Sequence, residues 1–180
     1  MKHLAFLALA LLALLLAACA GGAAAGSADG RLTVVTTTGQ IGDTARIVGG
    51  DHVRVLSLMG PGTDPHLYVA GISDVDKLRG ADVVFYNGLF LEAQMDAVLE
   101  QLAERQTVVA VSAGIDPAEL LPSAAYADEF DPHIWFDVRL WMQTVEQVRD
   151  TLMAVDPAHA ADYEANAAAY LQKLDALDAE

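Results

Sequence analysis

Cysteine is almost absent from this chain. Cys19 stands alone among 180 residues, so no disulfide can close within it. Basic residues are scarce too, with 10 Lys and Arg against 25 Asp and Glu and a formal net charge of −15. That balance excludes nucleic acid as a partner, because neutralising phosphates takes clustered Lys and Arg. An acidic surface favours solubility and raises the local cation concentration. No apolar run reaches the ~20 residues that a membrane-spanning helix needs; the longest, residues 4–18, is almost pure Leu and Ala. His-Glu-x-x-His, Gly-x-Ser-x-Gly and paired cysteines are all missing. A metal-dependent hydrolase, which needs an open coordination position and a general base beside it, thus lacks its usual signatures.

The short apolar run fits the central region of a secretory signal, since Met1-Lys2-His3 supplies a basic start. It closes on Leu16-Ala17-Ala18-Cys19, which resembles the lipobox of bacterial lipoproteins. The expectation is a signal peptide over residues 1–18, removed to leave a lipid on Cys19. Such a lipid tethers a protein to a membrane without spanning it. Residues 19–30, small and Gly-rich, read as a flexible tether. The chain is thus expected to be exported and held at the outer face of the cytoplasmic membrane.

Strands are expected at residues 31–37, 53–57, 81–86 and 107–111, where β-branched residues concentrate. Between them, apolar spacing predicts helices over 41–48, 75–79 (with Ser73 as cap) and 91–103. Alternation of this kind indicates an α/β fold with an open, mostly parallel four-stranded sheet flanked by helices. A helix over 138–154 carries Leu140, Trp141, Val145, Val148 and Leu152 on one face. Asp156-Pro157 opens another, capped by Asp156, that runs through Tyr163, Ala167, Tyr170, Leu174 and Leu177 and is still running at Glu180. A chain that stops inside an amphipathic helix reads as a fragment or truncated product.

One triplet recurs, Asp64-Pro65-His66 and Asp131-Pro132-His133, each beyond a strand. Ligand sites of open α/β sheets lie there, outside the carboxyl ends of the strands. Proline fixes its own φ and restricts the residue before it, so the backbone entering each histidine is stiff. Asp64 and Asp131 could each accept the second ring N–H of their histidine and set its tautomer. Neutral imidazole suits zinc and other first-row metals, so His66 and His133 are candidate ligands of one ion. Two ligands do not complete a site, and carboxylates would be the natural remainder. Tyr68 and Asp137 are candidates for supporting contacts behind the ligands, with packing and capping an equally good reading of each. His52 and His159 read as solvated, and Trp135 and Trp141 as packing that fixes the His133 loop.

Residues 59–68 (Met-Gly-Pro-Gly-Thr-Asp-Pro-His-Leu-Tyr), 85–92 (Phe-Tyr-Asn-Gly-Leu-Phe-Leu-Glu) and 131–138 (Asp-Pro-His-Ile-Trp-Phe-Asp-Val) together resemble the zinc- and manganese-binding lipoproteins of bacterial metal ABC transporters. The resemblance runs from Leu32 to Glu180. It implies two α/β lobes joined by a long helix, with the metal between them. Two histidines of the first lobe match His66 and His133; a His or Glu and then an Asp would come from the second. On this reading residues 31–155 form the first lobe, residues 156–180 begin the connecting helix, and the second lobe is absent from the sequence. The function implied is that of a monomeric receptor, not an enzyme, that captures Mn(II) or Zn(II) and delivers it to a permease. A surface adhesin with a structural metal is the alternative, ahead of a hydrolase.

Two departures bear on the metal. Phe90 stands where such proteins commonly carry a histidine that is not usually a ligand. Residues 112–130 contain no histidine, whereas zinc-specific relatives often have a His-rich loop there. This leans toward manganese or a mixed-metal binder, and the choice stays open because zinc binds well to almost any such site.

Overall fold

The computed structural model describes residues 29–124 and 126–180; the expected signal peptide, Cys19 and nearly all of the tether lie outside them. Four strands, β1 (Leu32–Thr36), β2 (Val53–Ser57), β3 (Val83–Tyr86) and β4 (Thr107–Ala110), form one sheet in the order β2-β1-β3-β4. Every pairing is parallel. All four strands therefore release their loops at one edge. The order reverses between β1 and β3, where open sheets of this kind place their ligands.

Helix α1 (Gly39–Gly49) links β1 to β2, α2 (Ile72–Arg79) precedes β3, and α3 (Asp96–Ala103) precedes β4. After a long connection come α4 (Val138–Val155) and α5 (Ala160–Asp178). Consecutive strand residues face opposite layers. Val34, Val83 and Phe85 meet α1, α4 and α5 in one core, while Val35 and Val84 join Leu78, Met95, Leu99 and Leu102 in a second. Burial on both faces is why these strands read as continuous apolar runs. The five apolar positions expected on α4 are all buried. Among the described residues no helix is long and apolar enough to cross a membrane.

Some local expectations need correction. Ser73 does not cap α2: the helix starts at Ile72, and Asp74 reaches back to accept from the N–H of Gly71 at 3.1 Å. The helix expected from residue 91 is delayed, because Gly88, Leu89 and Phe90 all take positive φ (80°, 53° and 63°). Residues Ala93–Met95 make a 3-10 turn, and α3 begins only at Asp96. Leu177 is exposed, although its spacing placed it on the apolar face of α5.

His52 and His159 are more than solvated residues. Their rings stack at 3.9 Å, His52 Nε2 lies 2.9 Å from Asp162 and His159 Nδ1 lies 2.7 Å from Asp156. Asp156 also accepts from the Tyr163 hydroxyl at 2.6 Å. It precedes a 3-10 turn over Pro157–His159 but makes no side-chain cap bond to a backbone amide. Burial pushes the Asp156 carboxyl up, yet the bonds from Tyr163 and His159 prevail and hold it below the ordinary carboxylate range. A carboxylate whose folded pKa is lowered adds stability above its unfolded value, and that stability is lost as pH falls through the folded value. Asp156→Asn is therefore expected to be less stable near neutrality and to lose less on acidification below about pH 4. Urea unfolding across that range measures both effects.

Candidate metal centre

The two Asp-Pro-His triplets fold alike. Asp64 Oδ1 accepts from the N–H of His66 at 2.9 Å, and Asp131 Oδ1 accepts from the N–H of His133 at 3.0 Å. Each is an Asx turn spanning a proline that has no N–H to give. The first triplet lies beyond β2, whose continuation is tied to β1 by Leu58 N–H to Thr36 O (2.8 Å) and Met59 N–H to Thr37 O (2.9 Å). The second is seated by a short ladder in the preceding connection. Ser123 N–H meets Glu129 O and Asp131 N–H meets Leu121 O, both at 2.8 Å.

His66 Nε2 and His133 Nε2 face one another at 3.3 Å, with ring planes inclined at 57°. Two nitrogens bound to one tetrahedral zinc at their usual bond length stand about 3.3 Å apart. The spacing is that of a direct hydrogen bond between the two rings and is also compatible with one shared ion. Asp131 adds a second bond, from its Oδ1 to His133 Nδ1 at 2.6 Å. Donation from Nδ1–H there leaves the Nε2 lone pair of a neutral ring pointing at the gap. The backbone and ring N–H groups of His133 hold the Asp131 carboxyl below the usual range.

The other sequence candidates lie differently. Asp64 accepts from the His66 backbone and not from its ring. Tyr68 donates to Asp74 at 2.8 Å, and burial followed by that contact pushes its phenol up to about 12. Tyr68 thereby fastens the His66 loop to α2. Asp137 caps α4 by accepting from the N–H groups of Arg139 and Leu140. Trp135 stands edge-on to the His133 ring, at 5.2 Å between centroids, and Trp141 is buried on α4.

The histidines line a cleft of roughly 270 Å³ together with Leu89, Phe90, Tyr126 and Phe130. Phe90 and Tyr126 meet edge to face at 5.6 Å. Among the described residues, no group of three or more His, Cys, Asp or Glu side chains converges to hold a metal. What this edge of the sheet offers is two ring nitrogens, one of them tuned by a carboxylate.

Sequence reasoning passed over Glu92. It is 1 % exposed and accepts from Thr37 Oγ1 (2.7 Å), Asn87 N–H (2.8 Å) and Gly88 N–H (3.2 Å). Burial pushes its carboxyl up, against the pull of those bonds. Asn87, also 1 % exposed, donates from Nδ2 to Pro132 O at 3.0 Å. The available signal was a lone acid inside the run Leu89-Phe90-Leu91-Glu92-Ala93.

The family model described as "Zinc-uptake complex component A periplasmic" matches residues 34–180. The chain belongs to that family. It is 45% identical over 152 residues to the manganese-binding lipoprotein MntA of Bacillus subtilis, covering 84% of this chain and 49% of that protein. Against the zinc-binding protein TroA of Treponema pallidum it is 43% identical over 153 residues, covering 85% and 49%. The solved structure of the Treponema pallidum protein superimposes with a TM-score of 0.80, over 83% of this chain and 53% of that one. Zn(II)-bound AdcA of Streptococcus pneumoniae gives 0.75 at 33% identity, over 83% of this chain and 32% of that one. The chain thus spans about half the length of these curated relatives.

Partners that orient a metal-bound histidine typically carry a 10–100-fold share of affinity. Asp131→Ala is expected to weaken Zn(II) binding within that range, and Asp64→Ala by less, because only Asp131 bonds a ring. Competition with a chromogenic chelator measures both.

Proposed function

We propose that this chain supplies the first metal-binding lobe of an extracytoplasmic receptor that captures Mn(II) or Zn(II) and delivers it to an ABC transporter permease. The observation that carries the reading is the 3.3 Å separation of the two Nε2 atoms, which fits a shared ion. Relatives whose names specify manganese-binding and zinc-binding support the same cargo. The role is capture, not catalysis. His66 and His133 would be two of the ligands, with the remainder expected from a second lobe. Residues 31–155 form the lobe and residues 156–180 the start of the helix that joins it to the other. Residues 1–18 act as signal, and a lipid on Cys19 holds the monomeric receptor at the outer face of the membrane, beside its permease.

Imidazole coordinates only when deprotonated, so affinity should fall as pH is lowered and binding should release protons. The test is isothermal titration of the full-length protein with Zn(II) and Mn(II), beside the double variant His66→Ala/His133→Ala. The expected outcome is a loss larger than the roughly 100-fold ceiling for supporting residues. Unchanged affinity in the double variant would sink the assignment.

A further inference from the structure

Glu92 touches neither histidine, yet its bonds lead to both segments that carry them. Oε1 accepts from Thr37 Oγ1 and from Asn87 N–H, and Oε2 accepts from Gly88 N–H. Thr37 is the first residue past β1, and its carbonyl receives Met59 N–H where the chain turns toward His66. Asn87 is the first residue past β3, and its Nδ2 holds the carbonyl of Pro132, the peptide group that leads directly into His133. Two steps therefore separate the carboxylate from the loop of one histidine, and two from the turn of the other.

The same carboxylate grips an unusual stretch of backbone. Gly88, Leu89 and Phe90 all lie at positive φ, a conformation that L side chains rarely adopt. A Cβ on Gly88 would stand 2.6 Å from Ser112 Oγ and 2.9 Å from Ala110 Cβ, so glycine is required there. Such strain persists where surrounding structure over-determines it, and it clusters at ligand sites. Here it turns Leu89 and Phe90 into the wall of the cleft that His66 and His133 share.

We propose that Glu92 is a positioning residue for metal capture: acting through Thr37 and Asn87, it sets the separation of His66 and His133 without touching the ion. This rests on the reading of those two histidines as ligands. A carboxylate suits the position because all three of its neighbours are donors. A glutamine amide would turn an NH₂ toward at least one of them, leaving a buried donor facing a donor. The β1 and β3 exits would part, and the two imidazoles with them.

The experiment uses the full-length protein and four variants: Glu92→Gln, Thr37→Val, Thr37→Ser and the double histidine variant. Zn(II) affinity is measured by chelator competition, and coordination geometry by the ligand-field absorption of bound Co(II). Glu92→Gln and Thr37→Val are expected to bind Zn(II) about 10–100-fold more weakly, with a displaced Co(II) band. Thr37→Ser, which keeps the hydroxyl, should retain wild-type affinity and band. A merely structural role would lower the melting temperature of the metal-free protein and leave the band of its folded fraction in place. Folded Glu92→Gln with unchanged affinity and band overturns the proposal; if that variant does not fold, Thr37→Val, nearly isosteric, decides it in the same way. Loss of binding only in the double histidine variant removes the positioning role and leaves the ligands standing. Wild-type binding by the double variant removes both.

Discussion

Because β1 is hydrogen-bonded in parallel to β2 on one side and β3 on the other, the three strand ends are fixed within about a residue of each other. Thr36 pairs with Ser57 across one ladder and with Phe85 across the other. Everything at the histidine edge inherits its coordinates from that register. A one-residue slip would exchange the faces of a strand and turn Val34 and Val35 into each other's layers. With apolar layers on both sides such a slip would lose little burial, so burial alone does not fix the register and polar contacts help to pin the strand exits. Thr37, Asn87 and Glu92 provide such contacts just past the ends of β1 and β3.

Polar groups gathered under the histidine edge carry a cost. A buried carboxylate is unfavourable unless its lone pairs are filled, and Glu92 is offset by three donors. The two histidines are only half-buried and line the cleft. The arrangement therefore grades from a dry foundation to a wet rim. Rigid hydrogen bonds lie at the strand exits, the Asx turns stand above them, and the imidazoles are outermost.

The sheet, its parallel sense and its four strands are legible in the sequence because β-branched runs alternate with helical spacing. His66 and His133 are legible because proline and aspartate repeat beside both. Much of the rest of the site is not. Glu92 meets Thr37 across 55 positions and Asn87 meets Pro132 across 45, and no local pattern announces contacts of that span. Leu89 and Phe90 read as the approach to a helix, since nothing in a leucine or phenylalanine signals positive φ. The stack of His52 on His159 joins a turn before β2 to the start of α5, and only the folded chain brings them together. Tyr68 and Asp137 show the converse, since their sequence neighbours explain the loop anchor and the helix cap they form.

Helix α5 is bolted at both ends. At its start the stacked imidazoles, Asp156, Asp162 and Tyr163 bind it to the turn before β2. At its end Asp178 receives Arg139 Nε at 2.6 Å, with Asp175 3.4 Å from the same guanidinium. Arg139 stands one residue into α4, close behind the turn that holds His133. Contacts at both ends therefore tie α5 to the same body, and its last turn lies against the first turn of α4, just behind the turn that holds His133.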